Sequence, residues 1–105
     1  MDDGANRGRD LERDLIRAAT DGDTGAFERL VRPYLRTLRA RVTLATRNLP
    51  CDPLEVEQEA LLRTYAALAN YDEQYTFAQF LFGIARQAMR RAARAGGREV
   101  PVAWT

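Results

Sequence analysis

Between Phe27 and Val42 the large apolar residues are Phe27, Leu30, Val31, Tyr34, Leu35, Leu38 and Val42. Steps of three and four put all of them on one side of an α-helix, whose side chains advance about 100° per residue. A β-strand would need strict alternation, and no stretch of the chain shows it. A helix with one apolar stripe cannot stand alone; it must bury that stripe against other helices. Pro33 lies inside the pattern and removes one backbone donor, so it should kink the helix or interrupt its hydrogen-bond ladder.

The remaining segments supply the partners. Leu11, Leu15, Ile16 and Ala19 predict a first helix over 9–20, preceded by a polar, glycine-containing tail at 1–9. Asp21-Gly22-Asp23 ends it, and Asp23 or Thr24 can cap the helix that carries Phe27. After a break at 48–51, Asp52 is a predicted N-cap with Pro53 at the first helical position and Glu55 placed to complete a capping box. This third helix should bury Leu54, Leu61, Tyr65 and Leu68 and end near Asn70, which tolerates a left-handed cap. Thr76 with Gln79 forms a second capping box, opening a fourth helix that runs to about Ala95 and stops at Gly96-Gly97. Its inner side should hold Leu81, Ile84, Ala88 and Ala92, with Phe77 and Phe80 in the core. The expected fold is all-α, a compact bundle of about four helices over 10–96, with a linker or cut end at 97–105.

Composition narrows the chemistry. All 16 basic residues are arginine, and lysine, histidine and serine are absent, which removes the usual general bases and most activated nucleophiles. The single Cys51 can form neither an internal disulfide nor a Cys/His zinc site. Glu55 and Glu59 lack the histidine that a helical carboxylate metal site needs. The N-terminus is too polar for a signal peptide, and the longest apolar stretch, 77–85, is too short to span a bilayer. A non-enzymatic cytoplasmic chain without cofactor, metal or membrane partner is expected.

The net charge is only +1, but the charges are not mixed evenly. The outer face of the second helix carries Arg29, Arg32, Arg36, Arg39, Arg41 and Arg47 against the single acid Glu28. On the third helix Glu55, Gln58, Glu59 and Leu62 share a face, either an ordinary charged surface or a docking patch for a basic partner helix. On the fourth, Arg86, Arg90 and Arg94 align opposite the apolar side over about 12 Å. No acid lies between Gln74 and Arg98 to cancel them. Such a stripe suits a phosphate backbone, with a membrane surface, an acidic protein or plain solvation as competing readings. Tyr71 and Tyr75, in the loop that leads into it, are candidates for stacking on unpaired bases if the loop leaves them exposed.

Several segments, taken in order, carry a resemblance. They are Leu15-Ile16-Arg17-Ala18-Ala19, Gly22-Asp23, Ala26-Phe27-Glu28-Arg29-Leu30 with the following Tyr34, Glu55-Val56-Glu57-Gln58-Glu59-Ala60-Leu61, Phe77 through Leu81, and Ile84-Ala85-Arg86. Together they resemble region 2 of the extracytoplasmic-function (ECF) sigma factors. The resemblance implies a domain that binds core RNA polymerase and recognises and melts the promoter −10 element. Glu55, Gln58, Glu59 and Leu62 would grip the β′ subunit coiled coil. Asn70, Tyr71, Tyr75, Thr76, Arg86, Arg90, Arg91 and Arg94 would face the non-template strand, and an anti-sigma factor is a further partner of such domains. The chain has Glu55 where the family has Asp, Phe80 for its Trp, Gln87 for its Asn and Arg91 for its helix Asp. The last two changes favour an alternative, a region-2-like protein–protein module that does not melt DNA. The family's region 4 helix-turn-helix has no counterpart in the sequence, which leaves a piece of a longer protein and a region-2-only protein equally open.

Overall fold

Each helix of the computed structural model, which describes residues 3–95 and side chains from Gly8 onward, begins or ends where local chemistry dictates a break. Helix α1 (Asp3–Thr20) ends in a Schellman arrangement. The Gly22 amide donates to the Ala19 carbonyl (3.0 Å) and the Asp23 amide to the Ala18 carbonyl (3.0 Å). Gly22 sits at φ +103°, a conformation that a Cβ would strain. The turn delivers Asp23 as N-cap of α2 (Thr24–Val31), its carboxylate accepting from the Ala26 amide at 3.0 Å.

Pro33 interrupts the long apolar pattern as expected. Residues Arg32–Tyr34 form one 3-10 turn, and α3 (Leu35–Ala45) continues beyond it. Helix α4 (Pro53–Ala67) opens on Asp52, which accepts from the Leu54 amide at 2.9 Å, with Pro53 at the first position. Among the described residues no bond returns from the Glu55 side chain, so only half of that capping box forms. The end of α4 also differs from the expectation. Asn70 takes no left-handed conformation; a 3-10 turn over Leu68–Asn70 satisfies the last carbonyls instead. Helix α5 (Phe77–Ala95) begins on a complete box, with the Gln79 amide donating to Thr76 Oγ1 (3.1 Å) and the Thr76 amide donating to Gln79 Oε1 (2.9 Å). The Gly96-Gly97 stop and the 97–105 segment lie outside the described residues.

Helix α1 starts at Asp3 rather than Arg9. Its C-terminal half is anchored by Leu15, Ile16 and Ala19, so each residue added upstream gains an internal bond and outweighs the poor helix propensity of Gly4 and Gly8. Leu11 takes no part in that anchor and is 60% exposed.

Two apolar clusters hold the helices together. One joins Ala19, Ala26, Leu30, Val31, Leu68, Phe77 and Leu81, with Leu15, Ile16, Phe27, Tyr34 and Phe80 packed at its edge. The other joins Leu38, Val42, Ala45, Val56, Ala60, Ala85, Ala88 and Met89. Leu35 and Leu61 touch both. The end of α4 thus meets the start of α5, and the start of α4 meets its later turns, so the two helices form an antiparallel hairpin on which α3 packs. The bundle is all-α with the expected helices, the second divided at Pro33.

Two inner faces are rotated from those expected. On α4 the buried positions are Val56, Glu57, Ala60 and Thr64, while Leu54 is 51% exposed and Leu61 and Tyr65 only partly covered. On α5 they are Phe77, Leu81, Ala85, Ala88, Met89 and Ala93, with Ile84 and Ala92 at the margin. Alanines are weak markers of a core face, and at this seam Ala60, Ala85 and Ala88 are completely buried because α4 and α5 approach closely. The buried polar groups are satisfied: Thr46 and Thr64 donate to the carbonyls of Val42 and Ala60 (2.8 Å each), and Glu57 accepts from Arg39 Nε at 3.0 Å.

The seam leaves no room for a larger side chain. Ala85→Leu should destabilise the fold by about 1–3 kcal/mol, whereas Leu62→Ala, at a residue 71% exposed, should stay within about 0.5 kcal/mol of wild type. Urea denaturation measures both; equal midpoints for Ala85→Leu and wild type would show slack between α4 and α5.

Candidate functional site

Outside the seam the hairpin presents two surfaces of opposite chemistry. The first is on α4. Gln58, Leu62, Glu55 and Glu59 fall within about 100° of helix arc. Glu55, Gln58 and Leu62 are exposed, and Glu59 is half-covered and paired with Arg63 at 3.2 Å. Leu54, expected in the core, stands beside this face and adds a second exposed leucine. All four expected residues therefore share one surface. Glu57, one residue from Gln58, does not belong to it. Its side chain is 5% exposed and is held by Arg39, whose own side chain is 65% exposed. Sequence periodicity treats Glu57 as one acid among several, because the arginine that draws it inward lies on another helix.

The second surface lies between α5 and the 71–76 loop. A groove of about 450 Å³ is lined by Asn70, Tyr75, Arg86 and Arg90 together with Phe80 and Gln87. Tyr75 is 55% exposed, and Arg90 and Arg94 are exposed along the outer side of α5. Not every expected residue reaches this groove. Arg91 and Arg94 are exposed beyond its lining, and the Thr76 hydroxyl is occupied in capping α5. Asp72, which also lines the groove, sets the loop by accepting the Gln74 amide at 2.9 Å. It places one carboxylate beside the arginines, and its Asx-turn position is a readable signal for that role.

Tyr71 is not the exposed loop residue that was expected. Its ring packs edge-on against Phe80 (5.0 Å between centroids) and Phe77 (6.3 Å), and its hydroxyl donates to the Tyr75 carbonyl. It is half-buried. The loop is short enough that Tyr71 can close it from within, leaving Tyr75 as its open aromatic.

Helix α1 braces the other side of the loop, which sequence reasoning did not foresee. Glu12, Arg13 and Ile16 line a cavity of about 230 Å³ with Tyr71 and Thr76. Tyr34 donates its hydroxyl to Glu12 Oε2 at 2.8 Å, and Arg13 lies 4.0 Å from Glu73. The latter pair is exposed on both sides and contributes little. Burial, then the hydrogen bond to Glu12, pushes the Tyr34 phenol up to about 12. Burial, followed by the nearby carboxylates of Glu12, Glu73 and Asp72, also raises Tyr71.

Among the described residues no helix is long and apolar enough to cross a membrane. Comparison with family models matches residues 27–99 to Sigma-70 region 2. Neither the curated proteins nor the solved structures give a match. The chain belongs to the sigma-70 region 2 family, whose members act in transcription initiation without catalysing a reaction. The family role is to bind core RNA polymerase and to recognise the promoter −10 element.

The tyrosines provide a test of the brace. A phenol whose pKa is raised on folding stabilises the native state fully below the unfolded value near 10, and that contribution is lost as pH climbs through the folded value. Stability should therefore fall between pH 10 and about 12, and phenolate absorbance of the native protein should show a late-ionising component that Tyr34→Phe reduces, with Tyr71 supplying the rest. A single transition near pH 10 for all four tyrosines would contradict the brace.

Proposed function

We propose that this chain is the region 2 domain of an ECF-type sigma factor, acting in the cytoplasm. The α4 face of Glu55, Gln58, Glu59 and Leu62 docks on the β′ coiled coil of the polymerase core. The groove beside α5 holds the non-template strand of the −10 element. The observation that carries this reading is the separation of the two surfaces on one rigid hairpin. An acidic face centred on an exposed leucine suits a helical protein partner, while a groove that joins Tyr75 to Arg86 and Arg90 suits an unpaired strand. Along the groove and the exposed side of α5 beyond it, the roles divide. Arg86, Arg90 and Arg94 neutralise phosphates without regard to sequence, and Tyr75, with Asn70 beside it, supplies the stacking surface for a displaced base. Opening a flexible TA-rich step costs comparatively little, which favours the −10 element over other duplex.

A second reading rests on Gln87 and Arg91, which are exposed on α5 where the family pattern has Asn and Asp. In that reading the domain binds polymerase or an anti-sigma factor and leaves DNA closed.

Two sets of variants separate the surfaces. Charge reversal of Glu55 and Glu59 together should weaken binding to core polymerase by about 2 kcal/mol or more and leave single-strand affinity unchanged. Arg90→Ala and Arg94→Ala should each make the salt dependence of single-strand binding shallower by about 0.7, alike for all sequences. Tyr75→Ala should instead cost base preference, by about 1–3 kcal/mol. If the arginine variants keep the wild-type salt slope, the DNA-closed reading replaces the proposed one.

A further inference from the structure

The net charge of +1 conceals a division of the chain by sign. Residues 29–51 carry six arginines and no carboxylate, while residues 52–73 carry six carboxylates and one arginine. The structure uses two of those six arginines internally. Arg39 pairs with Glu57 on α4, and the Arg41 guanidinium lies 4.4 Å over the Phe82 ring on α5. These two flank α3 on its hairpin sides. Arg29, Arg32 and Arg36 point elsewhere. All three are exposed, and among the described residues none forms an ion pair. Glu28 has the i, i+4 spacing to reach Arg32, yet the two do not pair. Spaced by three and four, the arginines share one side of α2 and α3 across the Pro33 turn, over about 10 Å.

We propose that Arg29, Arg32 and Arg36 form a second phosphate-binding face, which grips the backbone of duplex DNA without reading its sequence. The surroundings select the ligand. Protein interfaces are anchored by large apolar or aromatic side chains, and α4 offers Leu54 and Leu62 for that purpose. The large exposed hydrophobics of the described residues are Leu11, Leu44, Leu54, Leu62 and Tyr75, and none lies within the arginine stripe. Leu44, the one on α3, is turned about 60° or more away from it. A single strand would call for an exposed aromatic on which to stack, and the stripe has none. A bare row of guanidinium forks matches a ligand that presents only anionic oxygens at regular spacing. Duplex backbone is such a ligand, and a 10 Å row spans about two phosphates of one strand. Unlike the groove at Tyr75, this face lies on α2 and α3, so it engages a segment of DNA other than the one held at α5.

The test is a salt titration of the full chain on labelled random-sequence duplex and on a −10 single strand, starting at low ionic strength. The triple variant Arg29→Gln, Arg32→Gln, Arg36→Gln should bind duplex at least tenfold more weakly. Its salt slope should be shallower by about 0.9 for each phosphate that is no longer neutralised, about two in all. Single-strand binding should change less than twofold. The corresponding triple lysine variant should keep most of the duplex slope, because the charge remains. Circular dichroism of the variants should match wild type, since all three sites are exposed. An unchanged duplex slope in the glutamine variant overturns the proposal. So does a variant that loses affinity for polyglutamate or core polymerase while retaining duplex, since the face would then serve an acidic protein.

Discussion

Helices α4 and α5 approach closely where the side chains between them are small. Ala60, Ala85 and Ala88 are completely buried at this seam, and Thr64, equally buried, returns its hydroxyl to its own helix. Close approach lets two helices of modest apolar content form one rigid hairpin, because short side chains lose little conformational entropy on burial. Every surface that the proposed function uses is mounted on that hairpin. The α4 face looks outward from one member, the α5 arginines look outward from the other, and α3 is clamped against both through Arg39 and Arg41. A partner bound to α4 is therefore held at a fixed distance and orientation from a strand bound along α5.

The parts of this architecture legible in the sequence were those fixed by local chemistry. Asp23, Asp52 and the Thr76–Gln79 pair cap helices because their side chains reach amides two or three residues away, a relation independent of the rest of the fold. Pro33 breaks the ladder for an equally local reason. The alignment of Arg86, Arg90 and Arg94 along α5 follows from helical spacing alone. What escaped was decided at longer range. Leu54 reads as core by its apolarity, but the seam selects the alanine side of α4, and Leu54 turns outward. Glu57 reads as a surface acid until Arg39 of another helix reaches it. Tyr71 lies in a loop of polar residues, yet Phe77 and Phe80 provide a surface that covers it. The bond from Tyr34 to Glu12 joins residues 22 apart and has no sequence signature.

The brace from α1 gives the 71–76 loop an internal order that its composition would not suggest. Tyr71 ties the loop to the aromatic cluster, Asp72 fixes its turn, and the α1 side chains wall it from the far side. A loop held this way loses less freedom on meeting a ligand, so more of the interaction energy remains for affinity. The Tyr75 ring is then presented by a platform and not by a mobile segment.

The alternation of sign along the chain has a consequence for the protein as a material. A molecule of nearly zero net charge whose arginines and carboxylates are sorted onto separate faces attracts its own copies, unlike face to unlike face, although no apolar contact need form. These attractions act over roughly the Debye length, about 10 Å at 0.1 M salt and about 30 Å at 0.01 M. Such a protein is least soluble in dilute buffer, and moderate salt disperses it.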